Sequence, residues 1–247
     1  MPEQEPRDWC TVKNVASVLT VVAFAAALIT NFVGDLIDNK TIDYVSKPLI
    51  VIPLIVLVSI NPIPNKFVVT TCIFIAGLIA AWVGDISLMF DSDTAFLVGM
   101  IAFFIMHTLY TVAFFLLLQR TISWAYIVAA LIYVPASAIF AYYLLDSLTG
   151  ALKIAVPIYI TSVVVMSISA VSLRWFGAVG AVLFALSDTA LASEKFLEPS
   201  WFPEKNYVSA FVIMTYGIAQ LLFVVGFIYT VRRVEDMRKV YTEMQGL

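Results

Sequence analysis

Two aspartates lie inside hydrophobic segments and share similar local sequences. Asp85 lies in the pentad GDISL and Asp188 in the pentad SDTAL, about a hundred residues further along the chain. A carboxylate in the hydrocarbon of a bilayer costs about 2.5–3.5 kcal/mol, so such residues are usually protonated, paired or turned towards a water-filled cavity. The pattern predicts that the two carboxyl groups converge on one polar pocket inside a membrane protein.

Two carboxyl groups in one water-poor pocket favour acid–base chemistry. They cannot both ionise cheaply, so one serves as an acid and the other as a base at neutral pH. Such a pair suits reactions that pass through an oxocarbenium-like state, as in glycosidases. In a membrane the corresponding substrate is a vinyl ether lipid. Protonation of the alkenyl carbon and addition of water would give a hemiacetal, which collapses to an aldehyde and an alcohol.

Two further polar residues are expected near this chemistry. Lys47 opens a hydrophobic segment on the same side of the membrane, where it can pair with an aspartate or meet a lipid phosphate. The alternative is an interfacial lysine that snorkels to the surface. His107, the single histidine, lies near mid-membrane, and its alternative role is a structural bond to a neighbouring helix. One histidine excludes a histidine-based metal cluster, so we expect neither a metal nor another cofactor.

Several hydroxyl and amide side chains also fall inside hydrophobic segments. Tyr110 lies one turn after His107, and Tyr216 and Gln220 share one face of a helix through their i, i+4 spacing. Gln220 needs a hydrogen-bond partner, and its alternative role is to hold two helices together. Tyr159 is assigned to packing.

The composition is that of a membrane protein. The chain is 62% hydrophobic and 13% charged, with a mean hydropathy of +0.98. A soluble chain of 247 residues could not bury so much apolar surface. The net charge of −3 is spread along the chain, so no basic patch indicates nucleic-acid binding.

Charged residues divide the chain into hydrophobic segments near the roughly 18 residues that cross a bilayer. They predict an all-α membrane protein, a bundle of eight transmembrane helices over residues 14–231. A weak parallel repeat of four helices would place both aspartates at equal depth. Residues 1–13 and 232–247 are predicted to be cytoplasmic tails, the second of them basic. The predicted spans begin and end at Asn14–Gly34, Pro48–Asn65, Phe67–Gly84, Thr94–Gln119, Thr121–Leu145, Ile154–Leu173, a seventh span that carries Asp188, and Asn206–Val231.

The distribution of Lys and Arg predicts the orientation. Eight spans put both termini on one side, and that side holds nine Lys and Arg residues against five on the other. The excess favours cytoplasmic termini. Asp85 and Asp188 would each lie about five residues, roughly 7 Å, before the opposite surface.

The polar residues and their neighbours resemble a known family. The pairs Gly84-Asp85 and Ser187-Asp188, with His107 between them, are similar to motifs of the YhhN-type lysoplasmalogenase family. The remaining matching positions are Lys47-Pro48, Leu88, Gly99, Phe103, Tyr110, Leu191, Tyr216 and Gln220.

This resemblance implies an enzyme of the endoplasmic reticulum membrane that acts without a metal. Its expected reaction is hydrolysis of the vinyl ether of lysoplasmalogens, lysoplasmenylcholine and lysoplasmenylethanolamine, to a fatty aldehyde and the glycerophospho-alcohol. Its expected partners are the lysophospholipid substrate and membrane lipids. Asp85 and Asp188 are the expected catalytic residues, and the expected binding or supporting residues are Lys47, His107, Tyr110, Tyr216 and Gln220.

Two other classes of function fit the paired aspartates. One is a proton- or cation-coupled transporter, which also places carboxylates inside the membrane. The other is a non-catalytic lipid-binding or scaffold protein in which the aspartates hold helices together. Motifs of serine hydrolases, zinc proteases and nucleotide-binding proteins are absent from the sequence.

Overall fold

The chain folds into helices joined by short connections. A computed structural model describes residues 7–117, 123–197 and 204–245, with side chains from Asn14 onwards, and these residues contain no β-strand. The helices of the described residues are α1 Arg7–Leu36, α2 Lys40–Ser46, α3 Pro48–Ile60, α4 Val68–Ser87, α5 Asp93–Leu116, α6 Trp124–Leu145, α7 Leu152–Ser169, α8 Arg174–Phe196 and α9 Lys205–Gln245. The predicted all-α membrane architecture is confirmed.

The predicted number of spans needs correction. Within the described ranges, seven continuous helical segments are long and apolar enough to cross a membrane, and not eight. The difference arises at Leu152–Phe196, a segment of 45 residues in which two predicted spans run into one another. The sequence predicts a break at Arg174. In the structure a 3₁₀ turn, Ala170–Leu173, joins α7 directly to α8, so no non-helical loop separates the two helices there.

This long segment is folded back on itself as a helical hairpin. Tyr159 of α7 and Asp188 of α8 are hydrogen-bonded although 29 residues separate them, a distance of roughly 43 Å along a straight helix. Arg174 makes the reversal with a φ of 62°. Gly177 is required just after it, because a Cβ there would lie 1.7 Å from the Ala170 carbonyl oxygen.

The core of the bundle is built mainly from two helix pairs. Helix α4 packs along α5, and α8 packs along α9. Between them lies a cluster of aromatic rings, in which Phe74 stacks on Phe227 with 4.3 Å between ring centroids. Tyr110, Phe114 and Phe223 complete this cluster and are fully buried. The two aspartate-bearing helices are therefore held by the best-packed part of the molecule.

The two halves of the bundle follow the same packing order. Helix α4 packs between α3 and α5, as α8 packs between α7 and α9. Each aspartate thus belongs to the third long helix of its half. The predicted four-helix repeat stays a prediction, but this order is the one that it requires.

Helix α6 lies at the edge of the bundle. It packs on α7 and only slightly on α8, and within the described residues it forms no extensive contact with α5. Ala129 and Leu144 are its buried residues. Helices α5 and α6 are therefore not closely packed along their length.

Helix α9 is much longer than a membrane span. Its 41 residues extend roughly 60 Å, about twice the thickness of the hydrocarbon layer. The division into residues 1–13, 14–231 and 232–247 stays a prediction. Within the last of these, the α-helix continues unbroken to Gln245.

Candidate active site

Asp85 lies in the last turn of α4 and is 3% exposed. Its Oδ2 accepts a hydrogen bond of 2.8 Å from the hydroxyl of Tyr216 on α9. Close approach of α4 and α5 at this level depends on Gly84, where a Cβ would lie 2.8 Å from the ring of Phe103. Asp85 is thereby fixed at a crossing of three helices.

Asp188 lies in the middle of α8, and its side chain is 16% exposed. Its Oδ2 accepts a hydrogen bond of 2.9 Å from the hydroxyl of Tyr159 on α7. The same oxygen lies 3.9 Å from Nε2 of His107 on α5, too far for a direct hydrogen bond. The two aspartates thus have different neighbours: one tyrosine for Asp85, and a tyrosine and an imidazole for Asp188.

The imidazole of His107 is fully buried and held on several sides. Its Nδ1 lies 3.1 Å from the hydroxyl oxygen of Ser162, and that hydroxyl donates to the main-chain carbonyl of Tyr159 at 2.6 Å. The rings of Tyr159 and Phe184 meet the imidazole edge to face, with centroids at 5.1 and 5.3 Å. Nε2, on the Asp188 side, has no hydrogen-bond partner among the described residues.

A second buried network links α5 and α9. Tyr110 donates a hydrogen bond of 2.7 Å to Oε1 of Gln220. The amide nitrogen of Gln220 in turn donates to the sulfur of Met106 at 3.4 Å. Tyr216 and Gln220 therefore present the same face of α9 to polar partners on α4 and α5.

Both aspartates line one polar cavity. This cavity of about 450 Å³ is also lined by Lys47 and Tyr216. A second cavity of about 540 Å³ adjoins it and shares the lining residues Asp35, Lys47, Leu88, Asp91, Lys205 and Ser209. Lys47 stands between the two, within electrostatic reach of Asp35, Asp43 and Asp85. The predicted convergence of two carboxyl groups and a lysine is present in the structure.

An apolar pocket meets the polar cavity at Asp188. The pocket has a volume of about 270 Å³ and lies between α5, α6, α7 and α8. Its walls are mostly aliphatic and aromatic side chains. The residues that line both spaces are Leu88, Phe96, Phe103, Asp188 and Leu191. The pocket, the junction and the cavity would suit a molecule with an apolar chain at one end and a polar group at the other.

The structure places the predicted residues in two groups. Asp85, Asp188, Lys47 and Tyr216 line the polar cavity. The others, His107, Tyr110 and Gln220, lie behind its wall, where they contact residues of the cavity or one another. The assignment of catalytic and supporting roles to these residues stays a prediction.

The depth of the two aspartates along their helices differs from the expectation. Helix α4 ends two residues after Asp85, whereas α8 continues for eight residues after Asp188. The residues after Asp85 are apolar, but residues 88–89 form a turn and residue 90 a bend, so α4 does not continue along them. The two side chains nevertheless reach the same cavity.

Two residues of the site escaped the sequence analysis. Tyr159 was expected to serve packing more than chemistry, and its hydroxyl is hydrogen-bonded to Asp188. Ser162, the neighbour of His107, was not considered. The available signal was the i, i+3 spacing of these two residues, which puts two hydroxyl groups on one face of an apolar helix.

No group of three or more His, Cys, Asp or Glu side chains in the described ranges is arranged to hold a metal ion. The hydrogen-bonded pairs at the cavity are a phenol and a carboxyl group in each case, Tyr159 with Asp188 and Tyr216 with Asp85. Carboxyl groups in such pairs can take up and release protons and can stabilise positive charge.

The fold and the site define a multi-span helical membrane protein with a polar cavity that contains two carboxyl groups. Residues 42–227 match the YhhN family, and the chain belongs to that family. The chain is similar to lysoplasmalogenase TMEM86A of Bos taurus, with 31% identity over 181 residues, which cover 68% of this chain and 70% of the relative. No solved structure matches the chain.

Proposed function

We propose that this protein hydrolyses the vinyl ether bond of lysoplasmalogens, releasing a fatty aldehyde and glycerophosphocholine or glycerophosphoethanolamine. Membership of the YhhN family and similarity to a protein named lysoplasmalogenase support this class of reaction. The observation that carries it is the position of Asp188, which lines both the polar cavity and the apolar pocket. A vinyl ether lies at the same kind of boundary in the substrate, between an apolar chain and a polar glycerol.

The two carboxyl groups would act as acid and base. One protonates the alkenyl carbon and gives an oxocarbenium ion, whose charge the other stabilises. The second carboxyl group, which was ionised from the start, then takes a proton from water while the oxygen of that water adds to the cation. A hemiacetal results. In the collapse of the hemiacetal the roles are reversed: one carboxyl protonates the leaving glycerol oxygen while the other removes the hydroxyl proton. Both groups return to their initial protonation states.

The substrate would enter sideways from the bilayer with its tail first. Support comes from the weak packing of α6 on α5 and from the apolar pocket, which residues of both helices line. The head group would then remain in the polar cavities, where Lys47 can meet its phosphate and the surrounding carboxylates can meet its amine. In this arrangement the tail, the reactive bond and the head group each occupy a space of matching polarity.

A transporter that uses the same aspartates is not favoured. The chain belongs to a family with a relative named as an enzyme. The observed cavity also continues into an apolar pocket, which a hydrated cation or a proton does not require.

The direct test is an assay of aldehyde release. Purified protein is incubated with a lysoplasmalogen, and free aldehyde and the glycerophospho-alcohol are measured in equal amounts. The matched control is the saturated ether lysolipid, which has the same shape but no double bond to protonate. Release from the vinyl ether alone supports the proposal, and no release from either lipid refutes it.

A further inference from the structure

The hydrogen bonds around His107 have a direction that fixes its tautomer. A main-chain carbonyl can only accept, so the Ser162 hydroxyl must give its single proton to the Tyr159 carbonyl at 2.6 Å. Ser162 then has only lone pairs to offer His107. Nδ1 of His107, 3.1 Å away, must therefore carry a hydrogen and donate it to Ser162. A neutral imidazole has one N–H, so Nε2 is the unprotonated nitrogen.

The unprotonated Nε2 is turned towards Asp188. No other partner for this nitrogen exists among the described residues, and the nearest acidic oxygen is Oδ2 of Asp188 at 3.9 Å. If Asp188 were ionised, the unprotonated Nε2 would face a carboxylate oxygen. Both atoms are acceptors, so their lone pairs would repel and Nε2 would stay buried without a donor, which is unfavourable. A proton on Oδ2 removes the conflict, because a movement of about 1 Å then makes a hydrogen bond.

The remaining bonds of Asp188 agree with this direction. The hydroxyl of Tyr159 donates to Oδ2 at 2.9 Å, and a protonated oxygen can accept this bond while it donates to His107. In this series Tyr159 donates to Asp188, a protonated Asp188 would donate to His107, His107 donates to Ser162, and Ser162 donates to the main-chain carbonyl. A doubly protonated His107 would instead bury a cation between the rings of Tyr159 and Phe184.

Asp85 also accepts from a tyrosine, but it has a lysine within electrostatic reach where Asp188 has an imidazole beside it. It accepts a hydrogen bond from Tyr216, and the Lys47 ammonium attracts its charge from across the cavity. Tyr216 is the one hydrogen-bond partner of Asp85 among the described residues. Donors and a nearby cation stabilise a carboxylate, whereas an acceptor stabilises a carboxylic acid.

We propose that His107 is a positioning residue that keeps Asp188 protonated, so that Asp188 is the acid and Asp85 the base of the pair. This inference rests on the proposed hydrolysis. Asp188 gives its proton to the alkenyl carbon, and Asp85 takes a proton from the attacking water. In the collapse of the hemiacetal Asp85 returns that proton to the glycerol oxygen, and Asp188 regains one from the hemiacetal hydroxyl. One water is consumed and no proton is gained or lost.

The first test locates the protons on His107 and on the two aspartates by spectroscopy, in the absence of substrate. Because the chain contains a single histidine, protein labelled with ¹⁵N-histidine gives one pair of ring nitrogen signals in an NMR spectrum. We expect a protonated Nδ1 and an unprotonated Nε2. The infrared band of a protonated carboxyl group should disappear in Asp188→Asn and persist in Asp85→Asn.

The second test uses two substitutions, each of which keeps the hydrogen-bonding ability of one of the two imidazole nitrogens. His107→Gln keeps an acceptor near the position of Nε2, and His107→Asn keeps a donor near the position of Nδ1. We expect His107→Asn to lower kcat about 10²-fold with KM little changed, and His107→Gln to retain most of the activity. Thermal unfolding of both variants checks that they are folded.

The outcomes separate the two proposals. A protonated Nε2, or a carboxyl band lost in Asp85→Asn instead, overturns the inference and makes Asp188 the base. Equal loss of kcat in two folded His107 variants also overturns it. A wild-type protein that releases no aldehyde refutes the proposed hydrolysis, while the two spectroscopic measurements still decide which aspartate holds the proton.

Discussion

Tyr110 of α5 and Gln220 of α9 are both fully buried and are joined by a hydrogen bond of 2.7 Å. They lie 110 positions apart in the chain, so this bond ties the first half of the bundle to the second. Tyr216, one turn before Gln220, bonds to Asp85. The alignment of α9 that supports the candidate site therefore depends on a contact outside the cavity.

Removal of one partner should destabilise the bundle more than removal of both. Tyr110→Phe leaves Oε1 of Gln220 without its donor, and we expect a loss of about 1–3 kcal/mol in the free energy of unfolding. Adding Gln220→Leu removes the unsatisfied group and should restore part of that loss. Unfolding in detergent measures both effects.

The matched control is Tyr142→Phe on α6, where the side chain is 72% exposed. This variant should unfold like the wild type. A Tyr110→Phe protein that is as stable as the Tyr142→Phe protein would show that the buried bond contributes nothing.

Neutralisation of either aspartate should stop turnover without unfolding the protein. Asp85→Asn and Asp188→Asn keep the shape of the side chain and its ability to accept from tyrosine, but neither can exchange a proton. We expect each to lower kcat at least ~10²-fold, the usual contribution of one acid–base group. Aldehyde release and thermal unfolding are measured on the same samples. Near-normal rates in both variants would leave the aspartates with a structural role only.

Lys47 should affect binding of the head group. If its ammonium meets the lipid phosphate, Lys47→Ala raises KM and leaves kcat nearly unchanged. If it chiefly stabilises the Asp85 carboxylate, kcat falls instead. Steady-state kinetics distinguish the two effects.

Lys153→Ala provides the control, because Lys153 begins α7 and does not line either polar cavity. We expect its kinetics to match the wild type. Unchanged KM and kcat in Lys47→Ala as well would make Lys47 an interfacial anchor.

The size of the apolar pocket should set the length of chain that is accepted. Ala136 of α6 lines the pocket, and a phenylalanine there would occupy part of its 270 Å³. We expect Ala136→Phe to favour shorter alkenyl chains when a series of lysoplasmalogens is assayed.

Ala138→Phe adds the same ring to the same helix at an exposed position that does not line the pocket. It should leave the chain-length profile unchanged. Identical profiles for the two variants would show that the tail lies elsewhere.

Both termini are expected to face the cytoplasm. The nine-to-five excess of Lys and Arg on their side favours this orientation. One of the seven apolar segments, Leu152–Phe196, is the hairpin of α7 and α8 and makes two passes, so the number of passes stays even. A tag after the C-terminus should be digested by protease added to intact, right-side-out microsomes. A tag that is cut only after detergent is added would reverse the orientation and move the cavity to the cytoplasmic side.

The long helices could be predicted because length and apolar character fix them locally. The hairpin was harder to interpret, because the break at Arg174 depends on backbone angles and on close contact of Gly177 with the Ala170 carbonyl oxygen. Neither the backbone angles nor this contact can be recognised from the spacing of hydrophobic residues. A count of charged residues therefore finds the two helices but not the helical turn that joins them.

The candidate site was predictable where a residue is costly in lipid. Asp85, Asp188 and Gln220 stand out because each must find a polar partner. Tyr159 and Ser162 did not stand out, because a tyrosine or a serine can pack in an apolar helix at little cost. Their roles follow from the fold, which brings α7 against α5 and α8.

The proposed entry of the lipid between α5 and α6 has a kinetic consequence. A lipid that reaches the pocket by this route arrives by diffusion in two dimensions, so the quantity that saturates the protein is a surface density. At a fixed bulk amount of substrate, addition of inert bilayer lipid would lower the rate, because each protein molecule then meets fewer substrate molecules per unit area. For the proposed reaction, KM would therefore be expressed as a mole fraction of the membrane lipid.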